Sequence, residues 1–327
     1  MTLKPSSGLP AAAVWICATL ACTQVPAADY AVSGQTRAWA GALGESPDHS
    51  GLDSLFDTQP IQMSMQSVAN AAGAAYGEGT TWASAGTGGV HASAIGHSNV
   101  AGAPGGAISY GSGRAHAQYA DFFTLDVPGY AAGTMFTMTV PIRIDASQSY
   151  LGNSSPFGAF HEAVSSWEAS ASLFQWVTGG QQVSLSERGS CAVNVYGTGC
   201  TGSTPDTRLL HFSMPNRSWQ ALVSLTVAAI ASGYAYDSYG GSAFATGISN
   251  LSHTVAWGGI AELRDPNGLL VTDFSAPSAS NGFDYRYAYV TAVPEAPASA
   301  LLALGLGTLW ARRRLAAAGE RPQEAYA

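Results

Sequence analysis

Two sets of tyrosines are the residues of this 327-residue chain best suited to recognition chemistry. Tyr234, Tyr236 and Tyr239 lie in GYAYDSYGG, and Tyr285, Tyr287 and Tyr289 lie in DYRYAYV. A strand points residues two apart to the same side, so each set would line one face with rings. Amphipathic rings of this kind can stack on sugars. The same spacing also serves a strand that is only half buried, because tyrosine suits a pleated surface with one wet side. Acid–base chemistry is poorly provided for. His161 and Glu162 with Glu168 form the nearest approach to a catalytic cluster. Six residues along one strand span about 20 Å, whereas paired glycosidase carboxylates stand about 5–9.5 Å apart. The two glutamates therefore act together only if the chain folds between them. His91, His97 and His116 have no zinc-ligand spacing and read as polar positions on strand faces. G-x-S-x-G, H-E-x-x-H, phosphate-loop and EF-hand patterns do not occur. No catalytic residue, metal or cofactor is assigned, and the chain reads as a non-enzyme.

The elements that must carry these residues are strands. Phe123, Leu125 and Val127 alternate before a Pro128-Gly129 turn. Phe136, Met138, Val140, Ile142 and Ile144 then give five apolar positions at spacing two. Pro141 interrupts that row and cannot donate to a ladder, which predicts an edge strand or a bulge. Further rows follow at Trp167–Val177, at Val183 and Leu185, at Leu210–Met214, at Trp219–Ala229 and at Val255–Leu263. Asp265-Pro266-Asn267-Gly268 predicts a β-turn joining Ile260–Arg264 to Leu269–Phe274, with Tyr285, Tyr287 and Tyr289 on a last strand. Glu45 to Pro60 reads as a polar loop. Residues 69–118 are dominated by Ala, Gly and Ser, and their Ala-x-Ala alternation predicts short, thinly packed strands. No amphipathic helix is evident. The expectation is one all-β domain, an antiparallel β-sandwich or jelly roll, over residues 29–292.

The two ends read differently from this body. Lys4, the apolar run Ala11–Ala21 and small residues at Val25-Pro26-Ala27 have the form of a secretory signal over residues 1–28. Cleavage before Ala28 or Asp29 would remove Cys17 and Cys22; Leu20-Ala21-Cys22 also permits a lipoprotein reading. The pair that remains, Cys191 and Cys200 in CAVNVYGTGC, is predicted to form a disulfide in an exported chain. Five of the 13 Lys+Arg and three of the 21 Asp+Glu lie in the ends, which leaves 8 − 18 = −10 for a lysine-free body. Such a surface does not attract nucleic acid. At the other end, Ala298–Ala311 is apolar and uncharged, and Arg312, Arg313 and Arg314 follow it. Arginines in that place act as a membrane stop that stays cytoplasmic.

The motif Val293-Pro294-Glu295-Ala296-Pro297, the apolar run and the arginine cluster occur in the order of a PEP-CTERM tail. The segment 293–314 resembles the sorting signals that exosortases read in Gram-negative bacteria, with 315–327 as a cytoplasmic tail. The order of the whole chain is also similar to that of Ala/Ser-rich PEP-CTERM proteins. It runs from an A-x-A-rich stretch through YADFFTLDVPG to an FDY-type last strand. The resemblance implies an exosortase-type processing enzyme as partner, transient residence in the inner membrane, and a final place at the cell surface or in an exopolysaccharide matrix. The leading expectation is therefore an exported, non-enzymatic surface or matrix protein. The alternative is a carbohydrate-binding module acting through the tyrosine faces. A secreted jelly-roll hydrolase comes third.

Overall fold

A computed structural model describes residues 28–42, 48–71, 74–101, 106–155, 158–175, 181–202, 206–217 and 220–289. The expected signal segment, apart from Ala28, and the whole sorting tail lie outside them. Alternation becomes strand throughout. In chain order the strands are β1 (Asp29–Ala42), β2 (Asp48–Asp57), β3 (Ile61–Ala71), β4 (Ala75–Gly86), β5 (Gly89–Ala101), β6 (Ala107–Thr124) and β7 (Met135–Ser154). Then come β8 (Ala159–Gln175), β9 (Gln181–Asn194), β10 (Gly197–Gly202), β11 (Thr207–Pro215), β12 (Gln220–Asp237), β13 (Ser242–Trp257) and β14 (Glu262–Arg264). The described residues contain no helix. A first seven-stranded sheet has the order β10-β9-β8-β12-β6-β1-β2; a second has β11-β7-β13-β5-β4-β3, with β14 added beside β7. All pairings between these strands are antiparallel. The two sheets pack face to face as a β-sandwich.

The predicted apolar rows face inward. Phe136, Met138, Val140 and Ile142 on β7, Leu173 on β8, Phe212 and Met214 on β11, and Val223, Leu225 and Val227 on β12 all belong to one buried cluster. Trp257, Phe123 and Tyr285 complete it, with ring centroids 5.0–5.9 Å apart. The aspartate turn forms as expected. The Gly268 N–H donates to the Asp265 carbonyl, and the Asp265 side chain accepts from the N–H groups of Asn267 and Leu269. Pro141 is not at a sheet edge, because β7 lies between β11 and β13, and it stays in register with Leu209 of β11. The chain opposite it leaves the ladder between the end of β13 and the start of β14. Gly258 donates to Pro141 O and Ala261 to Thr139 O, with Gly259 at φ +84° between them.

Three expectations need correction. Residues 48–57 are not loop but the edge strand β2, exposed on both faces along most of its length. An edge strand open on both faces needs no apolar alternation, so the period-2 signal is absent there. The Ala/Gly/Ser-rich stretch does not form short, thinly packed strands. It forms β4, β5 and most of β6, of 12, 13 and 18 residues, and they pack at backbone distance. A Cβ on Gly79 would overlap the Ser112 carbonyl, one on Gly111 the carbonyls of Glu78 and His97, and one on Gly96 the Gly111 carbonyl and the Ser232 backbone. Gly77, Gly113, Gly233 and Gly247 meet the opposite sheet in the same way. Paired sheets usually stand about 10 Å apart, and side chains fill the gap; here glycine closes it. This waist separates the main core from a small one built of alanines and Val100. Finally, neither Leu269–Phe274 nor the segment with Tyr285, Tyr287 and Tyr289 forms the expected strand. They run as an irregular segment that touches the sandwich through isolated bridges, among them Phe123–Ser278, Asp126–Ser275 and Gly258–Ala288.

Candidate functional site

The outer face of the first sheet gathers the half-buried rings. Trp39 on β1, Tyr110 on β6 and Tyr234 on β12 are direct cross-strand neighbours in one row. Two residues further along, Tyr236 pairs with Ile108 on one side and Phe160 of β8 on the other. Phe160 and Tyr234 meet edge-to-face at 5.9 Å. Adjacent strands lie about 4.8 Å apart, so the row Trp39–Tyr110–Tyr234 spans roughly 10 Å of flat surface. These rings lie outside because the inner partners on the same strands are Gly111, Gly233 and Ala235, at and beyond the waist, where no ring fits. Burial first, and then Tyr236 and Glu162, push the Tyr234 phenol above its ordinary value. It stays a neutral hydroxyl able to donate and accept.

Further along the same face lies a groove of about 440 Å³. Its floor is Ala228 and Ile230 of β12. Arg114 of β6 stands on one side; Glu168 of β8, Arg188 of β9 and the β9–β10 hairpin stand on the other. Glu168 and Arg188 are directly opposed across β8 and β9. Ser166, Ser190 and Thr201 add hydroxyls, and the last two bond each other at 2.9 Å. Trp167 is 3% exposed and packs inward, where a Cβ on the opposing Gly189 would press on its Nε1. His116 lies across Ala228 from Glu168. Burial chiefly, and then Arg114, lower its pKa against the opposing pull of Glu168, so the ring is held neutral. The hairpin wall is fixed by the predicted disulfide. Cys191 and Cys200 face each other across β9 and β10, with Cα atoms 4.1 Å apart.

The other sequence candidates are dispersed. Tyr239 is 83% exposed beside Gly158 at the end of β12. Tyr285, Tyr287 and Tyr289 share no face. Tyr285 is 0% exposed, Tyr287 57% exposed, and Tyr289 lies over the Gly86–Gly88 turn. Tyr285 therefore offers no ring to a ligand. Its hydroxyl donates to Asp121, a carboxyl 1% exposed that also accepts from Tyr119, Ser278 and Ser280. That hub pins the last segment to β6. Burial raises the phenols of Tyr119 and Tyr285 well above the ordinary tyrosine range. Glu162 and Glu168 lie on the straight strand β8, six residues apart, with no fold between them. His161 points inward and is buried. His91 and His97 occupy the outer face of the second sheet, opposite to His116. His97 shares a 2.7 Å hydrogen bond with Thr246, and its ring lies 5.8 Å from Tyr76. The Tyr76 hydroxyl donates to Glu78, and this bond more than burial pushes the phenol up to about 12. Among the described residues no group of three or more His, Cys, Asp or Glu is placed to hold a metal. The motif residues Val293, Pro294, Glu295, Ala296 and Pro297 and the cluster Arg312–Arg314 lie outside the described residues.

Sequence reasoning missed Trp39, Tyr110, Phe160, Arg114 and Arg188. Each sits in the outward phase of a visible alternation, but the strand order β9-β8-β12-β6-β1 that unites them is not sequential. The molecule is an all-β, two-sheet antiparallel sandwich whose first sheet carries a row of half-buried rings on its outer face. No protein-family model matches the chain, and no curated protein matches it.

Proposed function

We propose that this is an exported, non-enzymatic surface or matrix protein that holds polysaccharide against the outer face of its first sheet. The observation that carries the reading is the row Trp39–Tyr110–Tyr234 with Tyr236 and Phe160 beside it. Flat, half-exposed rings with polar tips suit the apolar faces and hydroxyls of sugars, and a ring row along a sheet suits a chain better than a small molecule. Hydroxyls on the same face, Ser166, Ser190 and Thr201 among them, supply further hydrogen bonds. Export, exosortase processing near Val293–Pro297, transient inner-membrane residence through 298–311 with the Arg312–Arg314 stop, and release to the surface or exopolysaccharide matrix of a Gram-negative bacterium follow from the terminal motifs. Two measurements test the two halves. Titration of the full chain with soluble polysaccharides should change Trp fluorescence, and a Trp39→Phe variant should lose that change. Intact masses from envelope and medium should show a C-terminal loss that depends on the host exosortase. A retained tail in both strains would remove the sorting half.

A further inference from the structure

The glycine waist acts on both sheets. A Cβ on Gly77 would overlap the carbonyls of Trp39 and Tyr110, and one on Gly233 the carbonyl of Ala245. Residues next to these contacts must point away from them. On the first sheet they are the rings of the row already described. On the second sheet they are Tyr76, beside Gly77, and Phe244, beside Ala245. Tyr76 therefore lies behind Trp39 and Tyr110, and Phe244 lies behind Tyr234. Tyr76 of β4 and Phe244 of β13 flank Asn99 of β5 in one cross-strand row. Two strand spacings put them about 10 Å apart. Phe244 is 38% exposed. The adjacent row runs Glu78, His97, Thr246. Its groups hold one another. The Tyr76 hydroxyl donates to Glu78 at 2.7 Å, the Tyr76 ring lies 5.8 Å from that of His97, and His97 Nδ1 shares a 2.7 Å hydrogen bond with Thr246. Glu78 also accepts from Gln66 and Thr80. The bond from Tyr76 above all, against the opposing effect of burial, keeps the Glu78 carboxyl below its ordinary value. A carboxylate has about four acceptor sites, so three bonds leave room for a sugar hydroxyl. Rings and acceptor fixed in advance lose little freedom when a ligand arrives.

We infer that this patch is a second glycan site, with Tyr76 and Phe244 as stacking residues and Glu78 and Asn99 as hydrogen-bonding residues, so that one molecule joins two polysaccharide strands back to back. This rests on the carbohydrate reading of the first face and extends it from binding to cross-linking. Because the sheets touch between them, the two sites face opposite ways and cannot meet on one short glycan. The ionised Glu78 at the centre of the patch disfavours acidic polymers and selects neutral ones. Two rings, against five on the first sheet, make the second site the weaker. The ring row sets the affinity, and the second face decides whether strands are joined.

Light scattering from mixtures of the full chain with neutral galactomannan, xyloglucan or dextran tests it, with Trp39-dependent fluorescence recorded in the same samples. A polymer that changes the fluorescence should also be cross-linked. Its scattering should rise with added protein, pass a maximum and fall once protein is in excess and each strand is separately coated. In a Tyr76→Ser/Phe244→Ser variant with unchanged circular dichroism, the scattering rise should drop about tenfold, while the fluorescence midpoint stays within about twofold of the parent. Phe244→Ser alone, at a more exposed position, should give a smaller drop in the same direction. Fluorescence binding without any scattering rise in the parent, or variants that cross-link as the parent does, would overturn the second site and leave the ring row intact. If no polymer changes either signal, the ring-row reading falls and the second site falls with it.

Discussion

The two ends of the sandwich differ in what lies between their sheets. At the wide end Trp257, Phe123, Tyr119 and Tyr285 lie between the sheets and are fully buried. At the narrow end alanines and Val100 lie between the sheets, and Trp39, Tyr110, Tyr234, Tyr236 and Phe160 stand outside. The strands are the same; β6 and β12 run through both ends. What differs is the inner phase of the alternation, which changes from large apolar residues to alanine and glycine at Gly111, Gly113 and Gly233. Once the sheets touch there, rings on those strands have only solvent to face. The wide end thus carries stability, and the narrow end keeps rings available for a ligand.

The sharpest way to break this contrast is to put a side chain into the waist. Gly111→Val would force a Cβ into the carbonyls of Glu78 and His97. The loss should be about 3 kcal/mol or more, read as a fall in the chemical denaturation midpoint. Nearly as large is the loss of the hub at the wide end. Asp121→Ala removes the acceptor of the buried Tyr119 and Tyr285 hydroxyls, frees Ser278 and Ser280, and should cost about 3 kcal/mol. It should also raise hydrogen exchange in residues 275–289. Third comes the hairpin wall. Cys191→Ser/Cys200→Ser opens a loop of sequence separation 9 and should cost about 2–3 kcal/mol.

A smaller effect follows from His161, whose pKa is lowered from the ordinary 6.5 by burial alone. The folded ring resists a proton that the unfolded ring takes up near 6.5, so the unfolded state binds more protons as acidity rises. The stability it contributes is present above that value and is lost as pH falls toward the folded pKa. Denaturation midpoints between pH 7 and 5 should decline, and His161→Gln should flatten part of the slope. Smallest of all, serine at Tyr110 or Tyr234 should change stability by less than about 1 kcal/mol, the scale of a cross-strand pair.

Much of this contrast was written in the local alternation. The row Phe136–Ile144, the turn at Asp265–Gly268 and the pairing of Cys191 with Cys200 were legible because each depends on neighbours in sequence. So was the narrow interior, in principle. Ala-x-Ala with glycines states that one face has no bulk, although thin packing was expected where contact is closest. Asp121 could have been found as well, since it falls in the inward phase between Tyr119 and Phe123, where a carboxyl must be bonded. Strand β2 was not legible, because an edge open on both faces leaves Phe56 78% exposed and erases the period. The ring row and the groove were beyond reach. Tyr110 meets Tyr234, and Arg114 meets Ile230, only through pairing of β6 with β12, more than a hundred residues apart in sequence. The tyrosines of DYRYAYV misled for the opposite reason. Their spacing is that of a strand, but a turn and the Asp121 hub draw Tyr285 inward.

The most direct test of the account compares a Trp39→Ser/Tyr110→Ser/Tyr234→Ser variant with the parent chain for polysaccharide affinity by isothermal titration. Thermal midpoints are recorded alongside. The account predicts loss of binding by tenfold or more, about 1.4 kcal/mol at least, with a nearly unchanged midpoint. Undiminished affinity in the folded variant would contradict it, and the rings at the narrow end would then be outside only because they have no room within.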